Sequence, residues 1–378
     1  MSAERSRRLG RILSILLPLL AFLVGIRGMG VGFELLGREA LERFFQVSEN
    51  PFVGLLIGIL STSIVQSSSV TTSMIVGLVA APVAPLPVAN AIPMVMGANI
   101  GTTVTNTIVS LGHVTRPREF ERAIAAGTCD DFFNLLAVAV LLPLEMATGA
   151  FEQLSGWLVR RVPRGDGERL GNPVSALADA VLDPLRDASL SLVTTPRAGA
   201  AIFLFISMGV IFGALYALVR QLRVLAGGRL ERAVTRTLDA SPFVGLSIGA
   251  GMTALVQSSS LTLSMLVPLA GTGLVTLEQV FPLMLGANFG TTITAFLAST
   301  AVPLSTFQQA VQIALVHMLF NVAGIVLVYP SARLRRVPLS LSRWLATVAV
   351  GSKLRAATYV VLLFYGLPLG ALLLWRGL

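Results

Sequence analysis

The chain has 378 residues, 54% of them hydrophobic and only 12% charged, with a formal net charge of +9. A soluble domain carries about 25% charged residues, so this composition excludes an ordinary globular protein. One cysteine and two histidines exclude an intrachain disulfide, a thiolate metal cluster and a histidine-rich metal site.

Residues 9–26 form the first apolar run, behind Arg5, Arg7, Arg8 and Arg11. About 20 residues cross a bilayer core, and the run lacks a small-residue cleavage site, so it is expected to be a retained first helix. Residues 33–49 are amphipathic and mixed in charge, which predicts an interfacial segment. Asn50-Pro51 opens a new apolar run, interrupted by Gln66-Ser67-Ser68-Ser69. Each arm of about 14 residues spans roughly 21 Å, which suits a re-entrant hairpin better than two crossings. Residues 88–112 predict a helix broken at Gly97-Ala98-Asn99-Ile100-Gly101-Thr102-Thr103, because glycines around an asparagine mark unwound backbone, with close helix packing as the alternative role for the same glycines. Residues 120–144 predict a further span carrying Asp130, Asp131 and Asn134, and residues 145–197 a long polar loop of nearly balanced charge. A span at 198–219 and a basic connector over 220–239 follow.

The pattern then restarts. Pro51-Phe52-Val53-Gly54-Leu55 recurs as Pro242-Phe243-Val244-Gly245-Leu246, and Gln66-Ser67-Ser68-Ser69 as Gln257-Ser258-Ser259-Ser260, both at an offset of 191 (66 to 257). The glycine segment recurs as Gly286-Ala287-Asn288-Phe289-Gly290-Thr291-Thr292, and Phe133-Asn134 as Phe320-Asn321, which sets His317 opposite Asp130. Order and spacing held across this many elements indicate a duplicated unit. Further spans are predicted at 276–298 and 307–330, then a basic loop and a last membrane segment near 356–375.

If both hairpins are re-entrant, each half crosses three times, and an odd number inverts the second half. With the N-terminus inside, the arginines of residues 5–11, 116–118, 220–236 and 333–355 all fall inside, as the positive-inside rule requires. The expected fold is an all-α polytopic membrane protein: an inverted repeat with two re-entrant helical hairpins and two broken transmembrane helices. The expected division is 1–49, first helix and interfacial segment; 50–145, repeat 1; 146–197, outer loop; 198–240, helix and basic connector; 241–332, repeat 2; 333–378, basic loop and last helix.

A buried polar group without a partner costs roughly 2–7 kcal/mol, so two polar clusters at membrane depth call for an occupant. The helix beginning after each Ser-Ser-Ser carries about +0.5 of a charge at its N-terminus, and such ends bind anions. The oxygens of the two glycine segments are hard ligands suited to Na+. No Lys or Arg lies in either hairpin or broken helix. A small oxyanion held by neutral dipoles would therefore need a co-bound cation, which points to a secondary transporter. An intramembrane serine hydrolase is the rival, but both hairpins lack His, Lys, Asp and Glu to act as a base; no catalytic residue and no organic cofactor are expected. Asp130 and Asp131 are read either as functional intramembrane acids or in a helix-capping or interfacial role, His317 as a hydrogen bond between helices rather than a proton relay, and Cys129 as a small buried apolar residue.

The paired Gln-Ser-Ser-Ser motifs, Gly97 to Thr102, Asp131-Phe132-Phe133-Asn134 and His317 to Asn321 carry a resemblance to the type II sodium–phosphate cotransporters, over roughly residues 50–145 and 240–375. The resemblance implies Na+-driven symport of inorganic phosphate across the inner (plasma) membrane. It implies phosphate contacts from Gln66, Ser67, Ser68, Ser69, Gln257, Ser258, Ser259 and Ser260. It implies Na+ ligands at Gln257, Ser258, Asn288, Thr291, Thr292 and Thr294, with Asn99, Thr102, Thr103 and Thr105 near a second site. Spacing alone leaves sulfate or another small oxyanion, with Na+ or H+ coupling, as the alternative. The expected partners are phosphate, Na+ and the bilayer, with no nucleic acid; monomer and homodimer both stay open. Animal members have cysteines in the large outer loop and this chain has none there. Many bacterial relatives append a soluble helical domain, which is expected to be missing here.

Overall fold

The computed structural model describes residues 2–36, 48–82, 85–161, 173–226 and 241–375. Among these residues the chain is helical throughout, with no strand. In chain order the helices are α1 (Ser2–Leu36), α2 (Pro51–Val65), α3 (Ser68–Val79), α4 (Val88–Thr102), α5 (Val104–Ser110), α6 (Pro117–Thr148), α7 (Ala150–Val159), α8 (Pro173–Ser191) and α9 (Pro196–Ala226). They continue as α10 (Pro242–Val256), α11 (Ser259–Thr272), α12 (Leu277–Ser299), α13 (Phe307–Val328), α14 (Ala332–Gly351), α15 (Lys353–Val361), a π-helical turn (Leu362–Gly366) and α16 (Leu367–Trp375).

Six helical stretches among the described residues are long and apolar enough to cross a membrane: Leu13–Leu36, Pro117–Thr148, Pro196–Leu218, Leu277–Ser299, Phe307–Val328 and Lys353–Trp375. The protein is therefore a multi-pass membrane protein. The shorter apolar helices α2, α3, α10 and α11 are the ones that carry the Gln-Ser-Ser-Ser motifs.

Local chemistry sets the starts of these helices. The Asn50 side chain accepts the amides of Phe52 (2.9 Å) and Val53 (3.4 Å), and Pro51 occupies the first turn of α2. Pro117 and Pro242 open α6 and α10 in the same way, where a missing N–H costs nothing. Thr276 and Gln279 form a reciprocal capping box at the start of α12.

Several expectations are corrected. The first helix does not end at residue 26; α1 runs on through Leu36 and takes in the start of the expected interfacial segment, whose residues 37–47 lie outside the described residues. The expected outer loop holds two helices, α7 and α8, with 162–172 outside the described residues. The expected basic loop after residue 332 is the amphipathic helix α14, packed along α6. Most of the basic connector, residues 227–240, lies outside the described residues.

The glycine segments are not unwound. α4 is continuous from Val88 to Thr102 with only a slight break at Thr103, and α12 is continuous from Leu277 to Ser299. The glycines serve contact instead. A Cβ on Gly97 would overlap the Leu55 carbonyl of α2, and one on Gly58 would overlap the Met94 carbonyl of α4. The second half repeats this: Gly286 lies against Leu246 O, and Gly249 against Leu283 O. Small residues let membrane helices approach backbone to backbone, so α2 lies on α4 and α10 on α12.

The packing partners recur between the halves. α3 touches α12, and its counterpart α11 touches α5. α6 packs on α14, the helix that follows α13, while α13 packs on α7, the helix that follows α6. α1 and its counterpart α9 pack on each other. α8 is pinned to α1 where Arg27 donates to both carboxylate oxygens of Asp179, at 2.9 and 3.3 Å.

Candidate substrate and cation site

The two motifs fold into the same local structure. Gln66 and Gln257 have φ of 55° and 58°, the two left-handed non-glycine residues among those described. Each amide closes back on the helix before it, Gln66 N to Thr62 O and Gln257 N to Thr253 O, both at 2.6 Å. The next residue is extended, with φ/ψ of −151°/107° at Ser67 and −153°/108° at Ser258. Its hydroxyl oxygen accepts the amide three residues on, Val70 N at 3.3 Å and Leu261 N at 3.2 Å. A left-handed residue ends one helix and a serine cap starts the next. Glutamine at a left-handed position costs roughly 1–2 kcal/mol, and strain of this kind is characteristic of functional sites.

The motifs meet across the halves. Ser69 Oγ donates to the Gln257 backbone carbonyl at 3.2 Å and lies 3.4 Å from Thr294 Oγ1. Thr294 Oγ1 donates to Gln257 Oε1 at 2.8 Å. Ser68, Ser69, Gln257, Ser259 and Thr294 are buried, Ser67, Ser258 and Ser260 half-buried, and Gln66 exposed. The Gln257 amide nitrogen donates to Ala254 O at 2.6 Å. Further hydroxyls behind the serines turn back onto their own helices: Thr72 to Ser68 O (2.7 Å), Ser73 to Ser69 O (2.6 Å) and Thr262 to Ser258 O (3.2 Å).

The expected Na+ ligands divide. Thr294 joins the motif junction. Thr102, Thr103, Thr291 and Thr292 donate to carbonyls of their own helices, to Ala98 (2.8 Å), Ile100 (2.8 Å), Ala287 (3.0 Å) and Phe289 (2.7 Å). Their oxygens keep lone pairs, so they remain hard acceptors, but they are not gathered by hydrogen bonds to the serines. Thr105, the counterpart of Thr294, has a buried hydroxyl without a partner.

The two asparagines sit in matching clusters behind the junction. Asn288 Nδ2 donates to Asp130 Oδ1 at 2.7 Å, and Asn134 Nδ2 donates to the same atom at 2.9 Å. In the other half Asn321 Nδ2 lies 3.5 Å from Asn99 Oδ1 and donates to the His317 carbonyl at 2.9 Å. His317 does not make the expected hydrogen bond between helices: both ring nitrogens are buried without a partner. Asp130 and Asp131 are not helix caps, since both are buried in the middle of α6. Asp131 Oδ2 accepts from Tyr359 OH at 2.8 Å and from Thr107 at 3.4 Å. Tyr359 was not readable as a site residue, because it lies 228 residues from its partner in the last span and belongs to no repeated motif. Cys129 is a buried free thiol, as expected.

The Na+/Pi-cotransporter family matches residues 21–151 and 202–352, which hold all the residues of these clusters except Tyr359. The chain belongs to the Na+/Pi-cotransporter family. Among relatives of this family, sodium-dependent phosphate transport protein 2B of Homo sapiens is 32% identical over 96% of this chain and 64% of its own length. The Pongo abelii protein of the same name is 32% identical over 96% of this chain and 65% of its own length. Sodium-dependent phosphate transport protein 2A of Mus musculus is 32% identical over 97% of this chain and 68% of its own length. The chain thus spans just under two thirds of the 2B proteins it matches. No solved structure matches the chain.

Proposed function

We propose that this protein is a Na+-coupled symporter of inorganic phosphate, working by alternating access across the inner (plasma) membrane with its N-terminus in the cytoplasm. The observation that carries the reading is the junction of Ser69, Gln257 and Thr294, where two identically capped helix starts meet inside a member of the Na+/Pi-cotransporter family. The relatives' names supply sodium and phosphate as the solutes.

In this reading α2–α3 and α10–α11 are re-entrant hairpins. Helices of 12 to 15 residues reach about 18–22 Å, short of a hydrocarbon core of about 30 Å. Residues 50–145 and 241–332 are the inverted repeats, supported by the reciprocal packing of α3 with α12 and α11 with α5. Phosphate sits between the hairpin ends. The first-turn amides of α3 and α11 and the hydroxyls of Ser67, Ser68, Ser69, Ser258, Ser259 and Ser260 donate to its oxygens, with Gln66 and Gln257 completing the shell. Na+ is held by oxygens of Gln257, Ser258, Asn288, Thr291, Thr292 and Thr294, and near Asn99, Thr102, Thr103 and Thr105 in the other half. A cation there neutralises the anion, so each raises the affinity of the other.

The test is uptake of radiolabelled phosphate into proteoliposomes under an inward Na+ gradient, with K+ as control. Wild type should accumulate phosphate only with Na+. Ser68→Ala/Ser259→Ala should lower uptake by at least about 100-fold, since hydrogen bonds to a charged group contribute about 1.5–3 kcal/mol each. Sulfate accumulation without phosphate accumulation would favour the alternative oxyanion.

The asymmetry of the halves supports the alternating reading. Gln257 is buried and bonded to Thr294, while Gln66 is exposed and Thr105 has no partner. In the opposite end state Gln66 takes the Thr105 hydroxyl and Gln257 is released. Thr294→Val should then raise hydrogen exchange over residues 257–262, and Thr105→Val should lower it. Each change should be about 3–10-fold, from a bond of about 0.5–1.5 kcal/mol. Changes of the same sign in both variants would contradict this cycle.

A further inference from the structure

α14 is a 20-residue helix set between two stretches of crossing length, Phe307–Val328 and Lys353–Trp375, and is not itself one of the six. It carries three stripes. Each steps by three or four residues, so its members share a face. Leu339, Ser342, Ala346 and Ala349 are buried, and the two alanines share a core cluster with Phe120 and Ile124 of α6. Leu334, Leu341 and Trp344 are exposed, Trp344 at 60%, with Val337 and Val348 half-buried in the same row. Arg333, Arg336, Ser340, Arg343 and Thr347 form the third stripe, which is exposed throughout.

The basic stripe is only partly neutralised from within the protein. Arg343 pairs with Glu278. Arg335, off the stripe, has its guanidinium carbon 5.2 Å from the centre of the Tyr329 ring, a cation–π contact. Arg333 and Arg336 have no ion-pair partner among the described residues. No Asp or Glu occurs in residues 279–378. The first half does not share this charge. α7, which follows α6 as α14 follows α13, carries Glu152 behind Glu145, and its arginines, Arg160 and Arg161, lie past its last turn. A basic stripe is therefore no packing requirement of these helices.

We propose that α14 lies in the membrane interface and binds the headgroups of anionic phospholipids, with Arg333 and Arg336 holding the headgroup phosphate and Leu341 and Trp344 set among the acyl chains. A helix with one apolar and one basic face lies in the plane of the interface and is drawn to anionic lipid, and tryptophan favours that depth. The guanidinium fork matches a phosphate group bidentately. A soluble acidic partner would meet the basic stripe and leave the apolar stripe bare. A phospholipid supplies both an anion at headgroup depth and hydrocarbon below it. In the orientation proposed above this is the inner leaflet. The proposal does not depend on which solute the protein carries.

The test reads the quenching of Trp344 by brominated lipid. The full chain is reconstituted in phosphatidylcholine vesicles that contain brominated phosphatidylglycerol or, at the same fraction, brominated phosphatidylcholine. The lipid is present in both leaflets, so orientation does not enter. The chain has three tryptophans, and subtracting a Trp344→Phe variant isolates the signal of Trp344. The preference for phosphatidylglycerol should be at least about fivefold, and roughly fivefold should be lost with each arginine removed. Arg333→Gln/Arg336→Gln should bring the preference close to one. Raising KCl from about 0.1 to 1 M, which shortens the screening length from about 10 to 3 Å, should lower it in wild type and serves if the double variant does not fold. Equal quenching by both lipids overturns the headgroup site, as does a preference unchanged in the folded double variant or, failing that variant, one insensitive to KCl. Quenching of Trp344 by neither lipid overturns its place in the interface and favours cover by a second copy or a soluble protein. The symporter reading stands in each of these cases.

Discussion

Gly286→Ala is expected to abolish recovery of folded protein from the membrane. The new Cβ would fall on the carbonyl oxygen of Leu246, with the Ala250 amide 2.8 Å away. Both obstacles are backbone atoms of α10, so no rotamer change relieves the clash. Gly249 makes the reciprocal contact from α10 onto the Leu283 carbonyl of α12, so the two helix axes would have to part along their whole shared length. Overpacking against side chains costs about 1–3 kcal/mol; against backbone the cost lies above that range. Gly251 is the control. It lies in the partner helix α10 with nothing within 4 Å of its would-be Cβ, and Gly251→Ala should leave recovery unchanged or raise it, since alanine is favoured over glycine in a helix by about 0.5–1 kcal/mol. Size-exclusion profiles of fluorescently tagged variants separate these outcomes. A monodisperse Gly286→Ala protein at wild-type yield would refute the close-packed pair.

Substitutions at Gln257 should divide the backbone role from the chemical one. The residue holds φ of 58°, a conformation glycine adopts freely and β-branched residues resist. Gln257→Val should therefore lower folded yield. Gln257→Gly should fold at near wild-type yield, because the turn is kept and the Gln257 N to Thr253 O bond does not need the side chain. It deletes the carboxamide that accepts from Thr294 at 2.8 Å. With phosphate and Na+ both expected at this side chain, Na+-driven phosphate uptake should fall at least about 100-fold, at about 1.5–3 kcal/mol for each contact to a charged species. Folded Gln257→Gly transporting at the wild-type rate would show that the glutamine serves only the turn.

Much of this was legible in the residues. A glutamine followed by three serines inside an apolar run reads as an interruption, and the break falls there in both halves, between Val65 and Ser68 and between Val256 and Ser259. The proline at 51 marks a helix start as read, and so does its repeat mate at 242, whereas α6 begins at Pro117, three residues before the expected span. The glycine segments misled. Glycine answers two different needs, a backbone angle other residues avoid and a close approach by a neighbour, and composition does not distinguish them. The deciding partner of Gly97 is Leu55, some forty residues away in another helix. Residues 145–197 misled for a related reason: a polar, proline-bearing stretch reads as loop, yet α7 packs on α13 and α8 on α1 and α9.

The sequence by itself determined the membrane class, the recurrence of the motifs, the two interrupted helix pairs and the family. Each of these is a local or periodic property: apolar runs of crossing length, motifs at a constant offset, a turn residue beside its cap. Only the tertiary structure decided which polar groups face one another. The contact of Ser69 with Gln257 spans 188 residues, Asp130 with Asn288 158, and Asp131 with Tyr359 228. These meetings depend on how helices from the two halves pack, and that packing is governed by backbone approach at a few small residues rather than by any pattern readable along one helix.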